Sequence, residues 1–309
     1  MSDCPPFRLV DAFAEGPYRG NPAGVVLDAD GLSDEQMRRM AGEINASDTA
    51  FVSRLNDLHR PPRLRWFTRA TEVRFCGHAT LAAAHALAEA GRLGGVLAKP
   101  DGRVLFDTTA GELHLHAERL PPPRDTLMWW LAMPDPALKP DNTNPVRTCE
   151  LLGITPDALD PGVPAMRTRD DDVIYVVKSW QTLMEMQPRF DELAQWCRRS
   201  NIRGICVATT ATLTDIVNVH SRFFAPAVGV NEDPVTGSVH GPLAVLLVVN
   251  GLIGSALGRS ALWCAQGRPG DRSGLVRALV EATPQGYQVS IAGQCFTTLT
   301  GELRIPPRE

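Results

Sequence analysis

The residues of this chain best equipped to move a proton are Asp48, His78 and Asp233, accompanied by Ser47 and Ser238 and by glycines at Gly77 and Gly237. A carboxylate or imidazole held within about 3 Å of a C–H bond can take its proton, and hydroxyls with backbone N–H groups can hold the anion that results. Gly77-His78 follows "RFC" and Gly237-Ser238 follows "NEDPVT", so each pair stands where a compact polar loop meets an apolar helical stretch. Helix N-termini expose unpaired N–H groups and the positive end of the helix dipole, which makes both places anion sites. With the two ends facing one inter-domain cleft, a small organic acid could be clamped between them. Each residue also has a plainer reading. Asp48 suits an Asx-turn, His78 a helix cap and Asp233-Pro234 a turn, while Ser238 could satisfy first-turn amides. Spacing leaves both readings open.

The elements that must position these groups are legible from periodicity. "FRLVDAF", "NPAGVVL", "TAFVSRL", "RLRWFT", "VLFDTT" and "GELHLHAE" read as strands. "LSDEQMRRMAGEI" opens a helix with Ser33 as N-cap, Gln36 completing a capping box, and Leu32 stapled to Met37. Asp48 therefore falls on a short helix-to-strand connection, where scaffolds present functional groups. In the second half "TLMWWLAM", "VIYVVKS" and "DIVNVHSRFF" read as strands and "FDELAQWCRR" as a surface helix.

Two further helices are apolar nearly all round, "HATLAAAHALAEA" and "SVHGPLAVLLVVN", and Gly77 to Gly91 spans the same interval as Gly237 to Gly251. A helix without a polar face is buried on all sides. The expected fold is therefore α+β, with two similar domains, each a curved, mainly antiparallel sheet wrapped around a central buried helix. The expected domains cover 1–120 and 125–298, divided at the run Pro121, Pro122, Pro123, with a last strand at about 299–309 returning to the first. A doubly wound sheet would need regular strand–helix alternation, and no G-x-G-x-x-G follows a strand.

A chain of 309 residues with net charge −4 has no basic stripe for nucleic acid, so the expected partner is a small molecule. Its start, "MSDCPPFRLV", lacks the charged-then-apolar pattern of an export signal. The apolar run "PLAVLLVVNGLIGSAL" is broken before the ~20 residues of a membrane span. Seven cysteines with no C-x-x-C pair indicate neither a disulfide framework nor a zinc site, and point to a reducing cytoplasm. His114 and His116 alternate with leucines, as on a half-solvated strand; His85 and His240 read as core or wall residues, and His59 as a solvated loop residue.

Taken together, "VDAFAEGPYRGNPAGVVLDADGLSDEQM", "INASDTAF", "FCGHATLAAAHAL" and "SRFFAPAVGVNEDPVTGSVHGPLA" resemble the PhzF-like family of phenazine-biosynthesis isomerases, which shares the diaminopimelate epimerase-like fold. Only about 125–200 lacks a distinctive match. The resemblance implies acid/base catalysis without cofactor or metal, and a homodimer. It implies Asp48 as the acid that shuttles the proton, assisted by Gly77, His78, Asp233 and Ser238; the expected site then has Asp48, His78 and Asp233 as catalytic residues and Gly77, Gly237, Ser238 and Ser47 as substrate-binding ones. The family pattern Asn-x-Ser-Glu-Thr appears here as Asn45-Ala46-Ser47-Asp48-Thr49. The shorter acid reaches roughly 1.5 Å less far, and misplacement on that scale can cost ~100-fold in rate. "QGRPGDRSG" also departs from the family's "QG…GRPS". The epimerase branch uses two facing thiols, whereas "DPVTGSVH" carries no partner for Cys76, which reads as a small buried residue. The leading expectation is an isomerase acting on a small carboxylate-bearing substrate. The alternatives are a ligand-binding protein that kept the scaffold and an amino-acid racemase.

Overall fold

The computed structural model describes residues 4–57, 59–93, 102–121 and 126–307. The chain divides into two compact units, Met1–Ala132 with Ala292–Glu309, and Met133–Ile291. The proline run expected to mark the crossing lies outside the described residues from Pro122 onward. The segment returning to the first unit begins at Ala292.

The first unit comprises β1 (Pro6–Ala12), β2 (Asn21–Val26), α1 (Asp34–Ile44), β3 (Asp48–Ser53), β4 (Arg63–Phe67), β5 (Glu72–Val73), α2 (Gly77–Glu89), β6 (Arg103–Thr108), β7 (Gly111–Arg119) and β8 (Leu127–Met133). The second comprises β9 (Lys139–Pro140), α3 (Pro145–Leu152), β10 (Met166–Arg167), β11 (Asp172–Val176), α4 (Trp180–Glu185), α5 (Phe190–Arg199), β12 (Gly204–Thr209), β13 (Val219–Ala225), β14 (Val230–Asp233), α6 (Gly237–Val249), β15 (Arg259–Gln266) and β16 (Gly274–Thr283). The long β17 (Gly286–Glu302) starts in the second unit and ends in the first, where Cys295 to Glu302 pair antiparallel with β1.

The same pairing scheme occurs twice. β1–β2 and β10–β11 are antiparallel, β2–β3 and β11–β12 parallel, β3–β4 and β12–β13 antiparallel. Then β4–β5 and β13–β14 are antiparallel, β4–β6 and β13–β15 parallel, β6–β7 and β15–β16 antiparallel. Parallel neighbours cannot be joined by a tight turn, so each parallel step requires a crossover. The second crossover of each unit is its apolar helix: α2 packs on β1, β2 and β3, and α6 on β15 and β16. Gly77 and Gly237 thus hold equivalent places, each opening a helix just after a short strand.

Composition explains how the helices fit. In α2, Ala79, Ala82, Ala83, Ala84 and Ala86 are buried, so strand backbones can approach closely. Leu81 and Leu87, both fully buried, each stabilise by roughly 1.5–3 kcal/mol. In α6 the larger Leu243, Leu246 and Leu247 fill that role. The capping box at Ser33 and Gln36 forms as its pattern predicts, and Leu32 packs into the cluster containing Met37. The second unit adds a core of Leu151, Leu183, Leu193, Ile205 and Phe224 beneath α3, α4 and α5. α3 and α4 fall within the segment that carries no distinctive sequence pattern.

Candidate active site

Asp48 and His78 are brought together in the first unit. α1 ends at Asn45, whose left-handed backbone (φ 55°) turns the chain back. Asp48 then opens β3, paired in parallel register with Ala23 of β2. The burial of Ala50, Phe51 and Val52 behind it anchors that strand. α2 starts at Gly77 with Cys76 as an N-cap that makes no side-chain capping bond. His78 does not cap the helix either. Its Nε2 lies 3.2 Å from Ser47 Oγ and 3.7 Å from Asp48 Oδ2, and its Nδ1 lies 3.4 Å from Cys76 Sγ. The His78 and Asp48 side chains are 10% and 17% exposed, so both meet solvent through a narrow face. Cys76 is buried, as its reading as a small buried residue expects, with its thiol against the His78 ring.

Asp233 and Ser238 belong to the second unit. Asp233 ends β14 and its Oδ2 accepts from the Thr236 hydroxyl. Gln266 clamps this loop: its Nε2 donates to Asp233 O at 2.7 Å, and its Oε1 accepts from Thr236 N at 2.9 Å. Ser238, in the first turn of α6, accepts from Arg203 Nη2 at 3.1 Å rather than closing on the helix amides. Thr236, the N-cap, makes no side-chain capping bond to the helix.

Arg203 is held in turn by Asp172, which accepts from both Nε and Nη2. Burial pushes the Asp172 carboxyl up to about 6, although the adjacent guanidinium opposes that rise. Gly204 leaves room for this arrangement, since a Cβ there would stand 2.2 Å from Phe223 Cζ, whose ring lies beneath the Arg203 guanidinium. Beside Asp233, Glu232 receives two 2.8 Å bonds from the fully buried Arg222. Arg222 also donates to the carbonyls of Leu183 and Met186, tying β14 to α4.

Arg203, Arg222 and Gln266 were not singled out from the sequence. Gln266 sits in "QGRPGDRSG", whose relation to the loop depends on tertiary pairing. Arg203 and Arg222 resemble any surface arginine until their partners are placed. The other histidines read from the sequence fall where that reading puts them. His114 and His116 are exposed on β7, with His116 stacked on Trp130; His59 is exposed, and His240 is fully buried. His85 lies 3.1 Å from Glu89, one turn along α2.

Two similar units of curved, mainly antiparallel sheet around a central helix define an α+β protein of the diaminopimelate epimerase-like class. The model of the PhzC-PhzF family, described as phenazine biosynthesis-like protein, matches residues 10–301. An uncharacterized isomerase of Pseudomonas aeruginosa is 37% identical over 96% of this chain and 97% of its own length. Another, of Clostridium acetobutylicum, is 32% identical over 95% of this chain and 96% of its own. The crystal structure of the Bacillus anthracis phenazine biosynthesis protein of the PhzF family superposes with a TM-score of 0.85, at 27% identity, covering 97% of this chain and 99% of that one. The chain belongs to the PhzC-PhzF family, an isomerase family. Among the described residues no helix is long and apolar enough to cross a membrane.

Proposed function

We propose that this isomerase moves a proton between carbons of a small carboxylate-bearing substrate by acid/base catalysis, with Asp48 as the shuttle. The observation that carries this reading is the Asp48–His78–Ser47 cluster. A carboxylate and an imidazole stand 3.7 Å apart at the opening of a helix whose N-cap side chain leaves the first-turn amides to other partners. Asp48 accepts a proton as a C–H bond breaks, the electron pair passes into an enolate-like system, and the Asp48 carboxylic acid, once its proton has exchanged with solvent, protonates a different carbon. His78 and Ser47 orient the carboxylate. His78 also tunes the proton transfer, and Gly77 N–H is a donor for the developing oxyanion.

The second unit carries an anion-binding group of its own in this proposal. Gly237 N–H and Ser238 bind a carboxylate or enolate oxygen at the start of α6, with Arg203 supplying positive charge through Ser238. Asp233 assists proton transfer and is held by Thr236 and Gln266. A cytoplasmic homodimer completes the proposal, and sedimentation equilibrium would check the assembly.

The decisive experiment is incubation in D₂O with a panel of cyclic and amino-substituted carboxylic acids. Deuterium entering at carbon without loss of optical purity supports isomerisation. Loss of optical purity would instead mean racemisation, and absence of exchange across the panel would count against proton transfer on these acids. Asp48→Asn should remove the exchange while leaving binding intact.

A further inference from the structure

The first-unit cluster contains a donor set that proton transfer alone does not require. One ligand atom each from Asp48, Cys76 and His78 lies within 4.8 Å of the others. His78 Nε2 is common to the two key pairs, 3.7 Å from Asp48 Oδ2 and 4.0 Å from Cys76 Sγ. Tetrahedral Zn²⁺, bonded at about 2.3 Å to sulfur and about 2.0–2.2 Å to nitrogen and oxygen, separates its ligand atoms by roughly 3.4–3.6 Å. These two pairs need to close by only a few tenths of an ångström, and the third lies within 4.8 Å. All three residues belong to the same compact unit, and both supporting elements are fixed by buried neighbours.

We infer that Asp48, Cys76 and His78 form a site for a thiophilic divalent cation, Zn²⁺ above all, and that its occupation switches the enzyme off. Thiolate, imidazole and carboxylate select zinc over the hard cations magnesium and calcium, and three protein ligands leave the fourth position to water or a ligand carboxylate. Binding releases the thiol proton. It also occupies the carboxylate and imidazole lone pairs and displaces the Ser47 hydroxyl, 3.2 Å from Nε2. The metal is an inhibitor in this inference, not a participant in the reaction. The switch rests on the proposed role of Asp48, whereas the site itself does not, so binding and inhibition are read separately.

The test uses the full chain stripped of metal by a chelator. Titration with Zn²⁺ against a chromophoric chelator should show one equivalent bound, and Co²⁺ should develop a thiolate-to-metal charge-transfer absorption. Cys76→Ser and, separately, His78→Gln, each checked for native circular dichroism, should lose at least the roughly 10- to 100-fold in zinc affinity that removal of a ligand's outer-shell partner costs. Cys4→Ser, away from the cluster, should titrate like the parent. Unchanged affinity in folded Cys76→Ser, or a parent Co²⁺ complex without the thiolate band, overturns the site. If zinc binds as described but deuterium exchange continues at full rate with the site saturated, the inhibitory role is overturned while the site stands.

Discussion

His78 Nε2 stands 3.7 Å from Asp48 Oδ2, farther than a hydrogen bond, while Ser47 Oγ occupies the hydrogen-bonding position at 3.2 Å. The carboxylate is thus placed beside the imidazole without being locked to it. A proton shuttle needs that freedom, because its oxygen must reach a carbon and not only a neighbouring ring.

Substitution of this carboxylate gives the first prediction. Asp48→Asn should keep the fold and ligand affinity and lower turnover by roughly 100-fold or more, the usual scale of general acid/base catalysis. Asp48→Glu separates two histories. Lengthening the side chain should raise activity on substrates of glutamate-bearing relatives if the reach is merely inherited, and lower the native reaction if the site is adapted to aspartate. Steady-state rates on both substrate types decide. Full turnover in Asp48→Asn would reassign the shuttle.

Ser238 and Arg203 give a second prediction, tied to binding rather than chemistry. Arg203→Lys keeps the charge but loses the fork that serves Asp172 and Ser238 together. KM for a carboxylate substrate should rise about 10- to 100-fold, the worth of a hydrogen bond to a charged group, with a smaller change in kcat. Ser238→Ala should act in the same direction and more weakly. A fall in kcat at constant KM in both variants would contradict the carboxylate-binding role.

The third concerns Arg222, fully buried and donating to Glu232 and to the Leu183 and Met186 carbonyls. Arg222→Met leaves those acceptors without their donor, a change expected to cost about 3–5 kcal/mol. Urea denaturation followed by circular dichroism measures it. A midpoint within experimental scatter of the parent would show that β14 is held by something else.

The fourth is a pH dependence with two opposed contributions. Burial lowers His240 from its ordinary 6.5 to about 4, while its contact with Thr236 O opposes that shift. The unfolded chain therefore binds more protons there between those values. By linkage, the His240 contribution to stability is lost as pH falls from 6.5 towards 4. Asp172, raised by burial from 3.8 to about 6, has the opposite sign: its contribution is present below about 4 and lost as pH rises through 6. The stability difference between the parent and His240→Asn should accordingly grow in the parent's favour from pH 4 to 6.5 and level off above. Parallel stability curves across that range would show that His240 is not held neutral.

By itself the sequence determined what local rules can determine. The Ser33–Gln36 capping box, the period-two strands and the two helices without a polar face follow from hydrogen-bond satisfaction and periodicity within a few residues. The motifs around Asp48, Gly77-His78 and Asp233–Ser238 were legible for the same reason, since each is contiguous. α3 and α4 were not, because short helices in an undistinguished stretch owe their stability to tertiary packing rather than to pattern. Nor were the positioning residues. Gln266 reaches Asp233 across 33 positions, Arg203 reaches Ser238 across 35, and Arg222 reaches Leu183 across 39. Only the tertiary structure decided these partners, because a guanidinium or amide makes its directional bonds through space, and a one-dimensional pattern does not record which acceptor the fold carries to it.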